Sequence, residues 1–212
     1  MLKIKILPLG PLQTNCFLAA CDETLKVAVI DPAWDGNAIL DVATEAGWQI
    51  THILLTHSHF DHVGGLAALK AATAAPVYIH EQAVPMLQAA TMSAGRWGLQ
   101  IAQPPAPDEF IAEGQSLRVG NVTLETLDTP GHAPGHVSFH VSASQVLFDG
   151  DVLFQGGIGR TDLPGGDYAT LLRSIRDKLL VLPDETRVFP GHGNPTTIGN
   201  ERRTNPFLQQ LD

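Results

Sequence analysis

The chain has 212 residues, 44% of them hydrophobic, enough for one sizeable core and an expected single domain over residues 1–212. Its formal net charge of -9, with Lys and Arg mostly scattered singly, offers no basic field and argues against a nucleic-acid partner. Cys16 and Cys21 are too few for a disulfide framework and no run approaches the roughly 20 apolar residues of a membrane span, so a soluble cytoplasmic protein without a membrane partner is expected.

Residues 2–30 read as a β-meander. Lys3-Ile4-Lys5-Ile6 alternates as an edge strand, and the Pro8, Gly10 and Pro11 break argues against the apolar centre of a signal peptide before Leu18-Ala19-Ala20-Cys21. Asn15–Ala20 and Val27–Ile30 follow, the latter running into Asp31-Pro32. Ile39, Leu40, Val42, Ala43 and Ala46 recur at helical spacing and predict a helix over Asn37–Ala46, ended by Gly47. Ile50–Leu55 reads as a buried strand, Val63–Ala74 as a helix, Pro76–His80 as a strand and Glu81 to about Ala90 as a helix.

From Thr91 to Asp108, glycines and Pro104-Pro105-Ala106-Pro107 predict a long loop without regular structure. Four strands are then expected at Ser116–Val119, Val122–Leu127, His136–Val141 and Gln145–Phe148. A last helix, Tyr168–Leu182, and a closing strand, Thr186–Phe189, complete the pattern.

The chemistry gathers where strands end. Thr56-His57-Ser58-His59-Phe60-Asp61-His62 places three imidazoles and a carboxylate in six positions directly after Ile53-Leu54-Leu55. A helix would separate His59 from His57 and Asp61, whereas a loop leaving a strand can turn all of them to one point. A capping role for Asp61 would explain none of the histidines. His132 in Thr129-Pro130-Gly131-His132, Asp151 in Asp149-Gly150-Asp151, and His192 in Pro190-Gly191-His192-Gly193 each follow a strand end with glycine adjacent. A lone histidine at a turn is more often hydrogen-bonded than ligating, but four strands ending on one edge would deliver five histidines and two aspartates to one cleft. His52 and His140 lie within strands and His80 ends one, so they read as structural. His136 reads as a residue orienting the loop around His132.

The series His-x-His-x-Asp-His, Pro-Gly-His, Gly-Asp, Pro-Gly-His resembles the metallo-β-lactamase-fold hydrolases from Leu2 to His192. The resemblance implies an α/β (α+β) fold, a four-layer αββα sandwich of two mixed sheets with a dinuclear site at one edge. By motif position, His57, His59 and His132 would hold one metal, Asp61, His62 and His192 the other, and Asp151 would bridge them, leaving Asp149 as a strand-end hydrogen-bonding residue. Asp61 and Asp151 are the implied catalytic carboxylates. Imidazole and carboxylate donors without thiolate suit two divalent ions, Zn²⁺ or alternatively Fe or Mn²⁺. Such a pair shares a water, lowers its pKa and polarises a carbonyl, which suits a small-molecule thioester because its thiolate leaves readily.

Gly150-Asp151-Val152-Leu153-Phe154 with Gly157-Ile158-Gly159-Arg160, and Thr197-Ile198-Gly199-Asn200-Glu201 with Asn205-Pro206-Phe207, resemble glyoxalase II. That likeness implies a hydroxyacylglutathione hydrolase of the compact bacterial type, lacking the C-terminal helical domain, with Arg160 at the substrate. A salt bridge from Arg160 to Asp162 is the plain alternative, and Arg96 and Tyr168 are weaker substrate candidates. The rival is an oxidoreductase. Gly159–Asp162 and Glu201–Pro206 also resemble persulfide dioxygenases, which would hold one iron through His57, His132 and Asp151 and act on glutathione persulfide.

Overall fold

The computed structural model describes residues 1–209. Strands β1 (Leu2–Leu9), β2 (Thr14–Cys21) and β3 (Lys26–Ile30) form the expected antiparallel meander. Helix α1 (Gly36–Glu45), N-capped by Asp35, crosses over to β4 (Gln49–Leu54), which lies parallel to β3. The short α2 (Phe60–Val63) and α3 (Leu66–Ala72) lead to β5 (Val77–His80), and α4 (Val84–Gln88) and α5 (Ala90–Arg96) precede β6 (Glu109–Ile111). The first sheet therefore runs β1 to β6 in order, antiparallel then parallel.

The second sheet opens with β7 (Ser116–Val119), β8 (Val122–Asp128), β9 (Val137–Val141) and β10 (Val146–Gly150), all antiparallel. A two-stranded hairpin, β11 (Leu153–Phe154) with β12 (Gly157–Ile158), stands apart from it. Helix α6 (Tyr168–Ser174) continues through Leu179 in a wider π-type turn. Then β13 (Arg187–Pro190) pairs parallel to β10, β14 (Thr196–Thr197) closes the sheet, and α7 (Ile198–Thr204) follows.

Side-chain alternation builds four layers. Every residue of β2 is buried: Cys16, Leu18 and Ala20 face α1 and α3, whereas Phe17, Ala19 and Cys21 face the second sheet. Between the sheets Phe17, Phe148 and Phe189 cluster at centroid distances of 5.3, 5.9 and 5.6 Å. On the far side, Leu147 and Val188 meet Leu171, Ile175 and Leu179 of the α6 segment and Ile198 of α7. The result is an αββα sandwich of two mixed sheets, as expected.

Some elements differ from expectation. The predicted helix over Val63–Ala74 is divided at Gly64 and Gly65, where the Gly65 N–H donates to Pro32 O at 2.8 Å rather than within the helix, and both glycines lie against Trp34 and Gly36 with no room for a side chain. Within the predicted loop of Thr91–Asp108, Ala90–Arg96 is helical, and Glu109–Ile111 adds an edge strand. The helix from Tyr168 ends at Leu179 rather than Leu182 and is not the last. No helix among the described residues is long and apolar enough to cross a membrane.

Helix α7 is held by charge more than by grease. Glu201 is fully buried and its carboxylate accepts hydrogen bonds from Thr196 Oγ1 (2.6 Å), Asn200 Nδ2 (2.8 Å), the Gly156 N–H (2.8 Å) and Asn205 Nδ2 (2.9 Å). Asn205 Nδ2 also donates to Gly157 O at 2.9 Å, so Glu201 and Asn205 clasp the β11–β12 hairpin. Burial pushes the Glu201 carboxyl up, but these donors outweigh it and hold its pKa below the ordinary value. Glu201→Gln leaves two donors facing an amide NH₂ and is expected to cost about 2–4 kcal/mol in urea denaturation at neutral pH. Because the folded-state pKa is depressed, this contribution is present above the unfolded pKa near ~4.3 and is lost as pH falls through the folded value. The difference between wild type and variant therefore narrows under acid.

Candidate metal centre

Five strand ends converge at one edge of the sandwich: Asp31 follows β3, the Thr56–His62 turn follows β4, His132 follows β8, Asp151 follows β10 and His192 follows β13. The turn from β4 into α2 lets His57 and His59 point from extended chain while Asp61 and His62 sit within α2. Close backbone approach is built in at Gly191, where a Cβ would overlap Asp151 Oδ1 and His62.

One cluster joins His57, His59 and His132. His59 Nδ1 lies 3.1 Å from His57 Nε2 and 2.9 Å from His132 Nε2. A second joins Asp61, His62 and His192, with Asp61 Oδ2 3.6 Å from His62 Nε2 and 3.2 Å from His192 Nε2. Asp151 lies between them: one oxygen is 3.5 Å from His132 Nε2 and 3.5 Å from His192 Nε2, and the other is 3.5 Å from His62 Nε2. All seven positions singled out in the sequence thus meet in one place.

On the far side of four of the five rings a hydrogen bond fixes the tautomer. Nδ1–H of His132 donates to Arg160 O (2.8 Å), that of His192 to Leu12 O (3.2 Å) and that of His62 to Asp31 Oδ2 (2.9 Å). The Thr56 hydroxyl donates to Asp31 Oδ2 (2.6 Å), so its lone pair accepts from His57 Nδ1–H at 3.0 Å. Four Nε2 lone pairs are therefore turned inward. His136 is different: its Nε2 accepts the Asp151 N–H (3.1 Å) and its Nδ1–H donates to Thr129 Oγ1 (2.9 Å). Thr129 in turn reaches Ser138 (2.9 Å), whose hydroxyl donates to Asp149 Oδ1 (2.9 Å). His136 and Asp149 accordingly brace the backbone around Asp151 and His132, matching their expected supporting roles.

Charge is arranged differently in the two clusters. Burial, reinforced by neighbouring imidazoles, drives His57 well below its usual pKa and His59 down to about 4, and burial also lowers His132 despite Asp151. These three are neutral donors at neutral pH. Burial opposes ionisation of Asp61 and Asp151 too, but the imidazoles prevail: Asp61 falls to about 2 and Asp151 is held well below the carboxylate range. The same carboxylates raise His62 and His192 against the effect of burial, so protons there compete with a cation.

The donor set fits metal ions. A single proton on His59 Nδ1 can satisfy at most one of its two imidazole contacts, whereas a cation satisfies all three nitrogens. Among the described residues, His62 Nε2 and Asp151 Oδ1 are buried 3.5 Å apart and neither makes a hydrogen bond.

Sequence reasoning missed two supporting residues. Asp31, fully buried at a positive φ of 50°, also accepts the Thr56 N–H at 2.7 Å, so both its oxygens are committed to aligning His57 and His62. It obeys the strand-end rule that singled out the others. Thr14 donates to Asp61 Oδ2 at 2.7 Å, and no local signal marks it.

A cleft of about 1020 Å³ opens onto His59, Asp61, His132, Asp151 and His192. Arg160 and Arg96 line it, but the Arg160 guanidinium is engaged by Asp162 through two 2.7 Å bonds, the plain alternative foreseen. Tyr168 is exposed on α6 and does not line the cleft.

Fold and site together define a metal-binding hydrolase. The chain belongs to the metallo-beta-lactamase superfamily, whose family model matches residues 9–192. It is 42% identical over 209 residues to the hydroxyacylglutathione hydrolase GloC of Haemophilus influenzae, covering 98% of each chain. It is similar to the crystal structure of the BLEG-1 B3 metallo-beta-lactamase (TM-score 0.91, 41% identity, 97% of this chain and 99% of the other). A similar match is TTHA1623 in a di-iron-bound form (TM-score 0.90, 44% identity, 96% and 100%).

Because Asp31 aligns two of the rings without lying at the cleft, Asp31→Asn is expected to weaken metal binding about 10–100-fold in chelator competition. Far-UV circular dichroism should remain that of the wild type.

Proposed function

We propose that the chain is a dinuclear metal-dependent thioester hydrolase acting on S-lactoylglutathione or a similar hydroxyacyl thioester. The observation that carries this reading is the place of Asp151, whose carboxylate lies 3.5 Å from His132 of one cluster and 3.5 Å from both His62 and His192 of the other. His57, His59 and His132 would hold one divalent ion and Asp61, His62 and His192 a second, with Asp151 between. The donors suit Zn²⁺, with Fe or Mn²⁺ as alternatives. When bound, such a pair activates water at neutral pH and polarises a carbonyl oxygen.

The rest of the chemistry belongs to the chain. Asp61, held on one oxygen by Thr14, is ionised and faces the cleft, where it can accept a hydrogen bond from the attacking water and orient it. His132 and His192 are anchored from behind by Arg160 O and Leu12 O, so their rings keep their orientation as charge develops. Neither cysteine lines the cleft, which agrees with direct attack by water rather than a thiol nucleophile. A departing thiolate, with a pKa near ~8.5, needs little help from a general acid. The likeness to GloC supports the thioester class.

Metal analysis of protein as isolated, coupled to an anaerobic S-lactoylglutathione assay, tests the reading. Two metal equivalents and thioester cleavage are expected, and Asp151→Ala should lose both metal and more than about 100-fold of the activity while keeping its secondary structure. A single iron per chain with oxygen consumption on glutathione persulfide, or an Asp151→Ala protein with unchanged metal stoichiometry, overturns it.

A further inference from the structure

Beyond the metal-cluster residues, the cleft has two apolar walls. Met86 on α4, Met92 on α5 and Trp97 directly after it supply one group of its apolar lining, and Phe154 and Ile158 of the β11–β12 hairpin supply a second. Met92 is 63% exposed and Trp97 53% exposed, a large apolar surface left open beside a reaction centre. Trp97 is nonetheless seated, with its ring 6.1 Å from that of Phe60 at the start of α2.

Cations are scarce there. Arg160 is paired with Asp162, and among the described residues Arg96 makes a side-chain hydrogen bond only to Met92 Sδ, at 3.8 Å. A thiol bearing two carboxylates, an ammonium and two amides would find Arg96 as the uncommitted guanidinium of the cleft and would lay most of its other polar groups against methionine and tryptophan, losing hydration. A three-carbon lactoyl group would leave most of the roughly 1020 Å³ to be filled by something else.

Resting on the thioester reading above, we propose that the cleft takes thioesters carrying a long apolar arm, and that Met92 and Trp97 are its specificity-determining residues. The carbonyl sits at the His132–Asp151–His192 end, and the arm runs between the methionine–tryptophan wall and the Phe154–Ile158 hairpin. S-lactoylglutathione then shares the chemistry without being the substrate the walls favour. Either half of the thioester can supply the arm, and two substrate series separate them.

The test uses metal-loaded full-length protein. One series is the acetyl, butanoyl and hexanoyl thioesters of N-acetylcysteamine, and the other is S-methyl, S-propyl and S-pentyl thioacetate. In the series that matches the arm, kcat/KM is expected to rise about threefold per methylene, mainly through KM, and to overtake S-lactoylglutathione. Trp97→Ala and Met92→Ser should each lower the longest member at least fivefold more than the shortest. A flat response in both series, a uniform effect of the substitutions, or a wild-type preference for S-lactoylglutathione over every apolar thioester overturns the proposal.

Absence of cleavage for all thioesters would instead defeat the hydrolase reading. In that event calorimetry with the thioether S-hexyl-N-acetylcysteamine decides this proposal separately. Binding at least tenfold tighter than for the S-methyl thioether, and lost in Trp97→Ala, supports the apolar site; equal or undetectable binding refutes it.

Discussion

The structure depends on one electrostatic constraint: imidazole lone pairs and two carboxylates are packed against one another where water cannot screen them. His57 and His62 are fully buried, and Asp61, His132 and Asp151 nearly so. Left to themselves, these groups would turn toward solvent or toward protons. Four of the five rings are kept aimed inward because they are held from behind, and each hold comes from a different part of the chain. Asp31 lies after β3, Thr56 after β4, Leu12 between β1 and β2, and Arg160 after β12. His62 Nε2 and Asp151 Oδ1 are buried 3.5 Å apart and must be held there without a hydrogen bond between them. The double-sided core around Phe17, Phe148 and Phe189 has to supply that rigidity, which is why a site at the edge requires a sandwich behind it.

The same constraint explains what was legible in the sequence. His132, Asp151 and His192 stand out because each follows an apolar run at a glycine-flanked strand end, and His57 because it opens a dense run of histidines directly after Ile53-Leu54-Leu55; local patterning registers that kind of signal well. Asp31 sits at an equivalent junction but reads as an ordinary turn residue before Pro32; its role comes from Thr56 and His62, 25 and 31 residues away. Thr14 is separated from Asp61 by 47 residues and belongs to a uniformly buried strand, so nothing local distinguishes it.

Elements were missed where burial does not follow an apolar rhythm. Helix α5 buries only Ala90 and Ala94, small residues packed against α2, and leaves Met92 in the open because that face belongs to the cleft. Strand β6 is three residues at a sheet edge, paired only to β5, too short for alternation to show. Helix α7 buries Glu201 in a shell of donors rather than presenting a hydrophobic stripe, so its helical period is carried by hydrogen bonding.

That last helix bears on how resemblance translates into function. The segment from Glu201 to Pro206 resembles both a thioester hydrolase family and a family of oxygen-using enzymes, although those reactions share little chemistry. In the structure Glu201 and Asn205 do not reach the cleft; they grip Gly156, Gly157 and Phe154 and thereby place the hairpin that forms one wall. A motif common to two chemistries is intelligible if it serves the architecture both require. The tail therefore speaks for the position of Phe154 and Ile158, and the identity of the substrate must be read from the side chains that face it, on the hairpin and on α5 opposite.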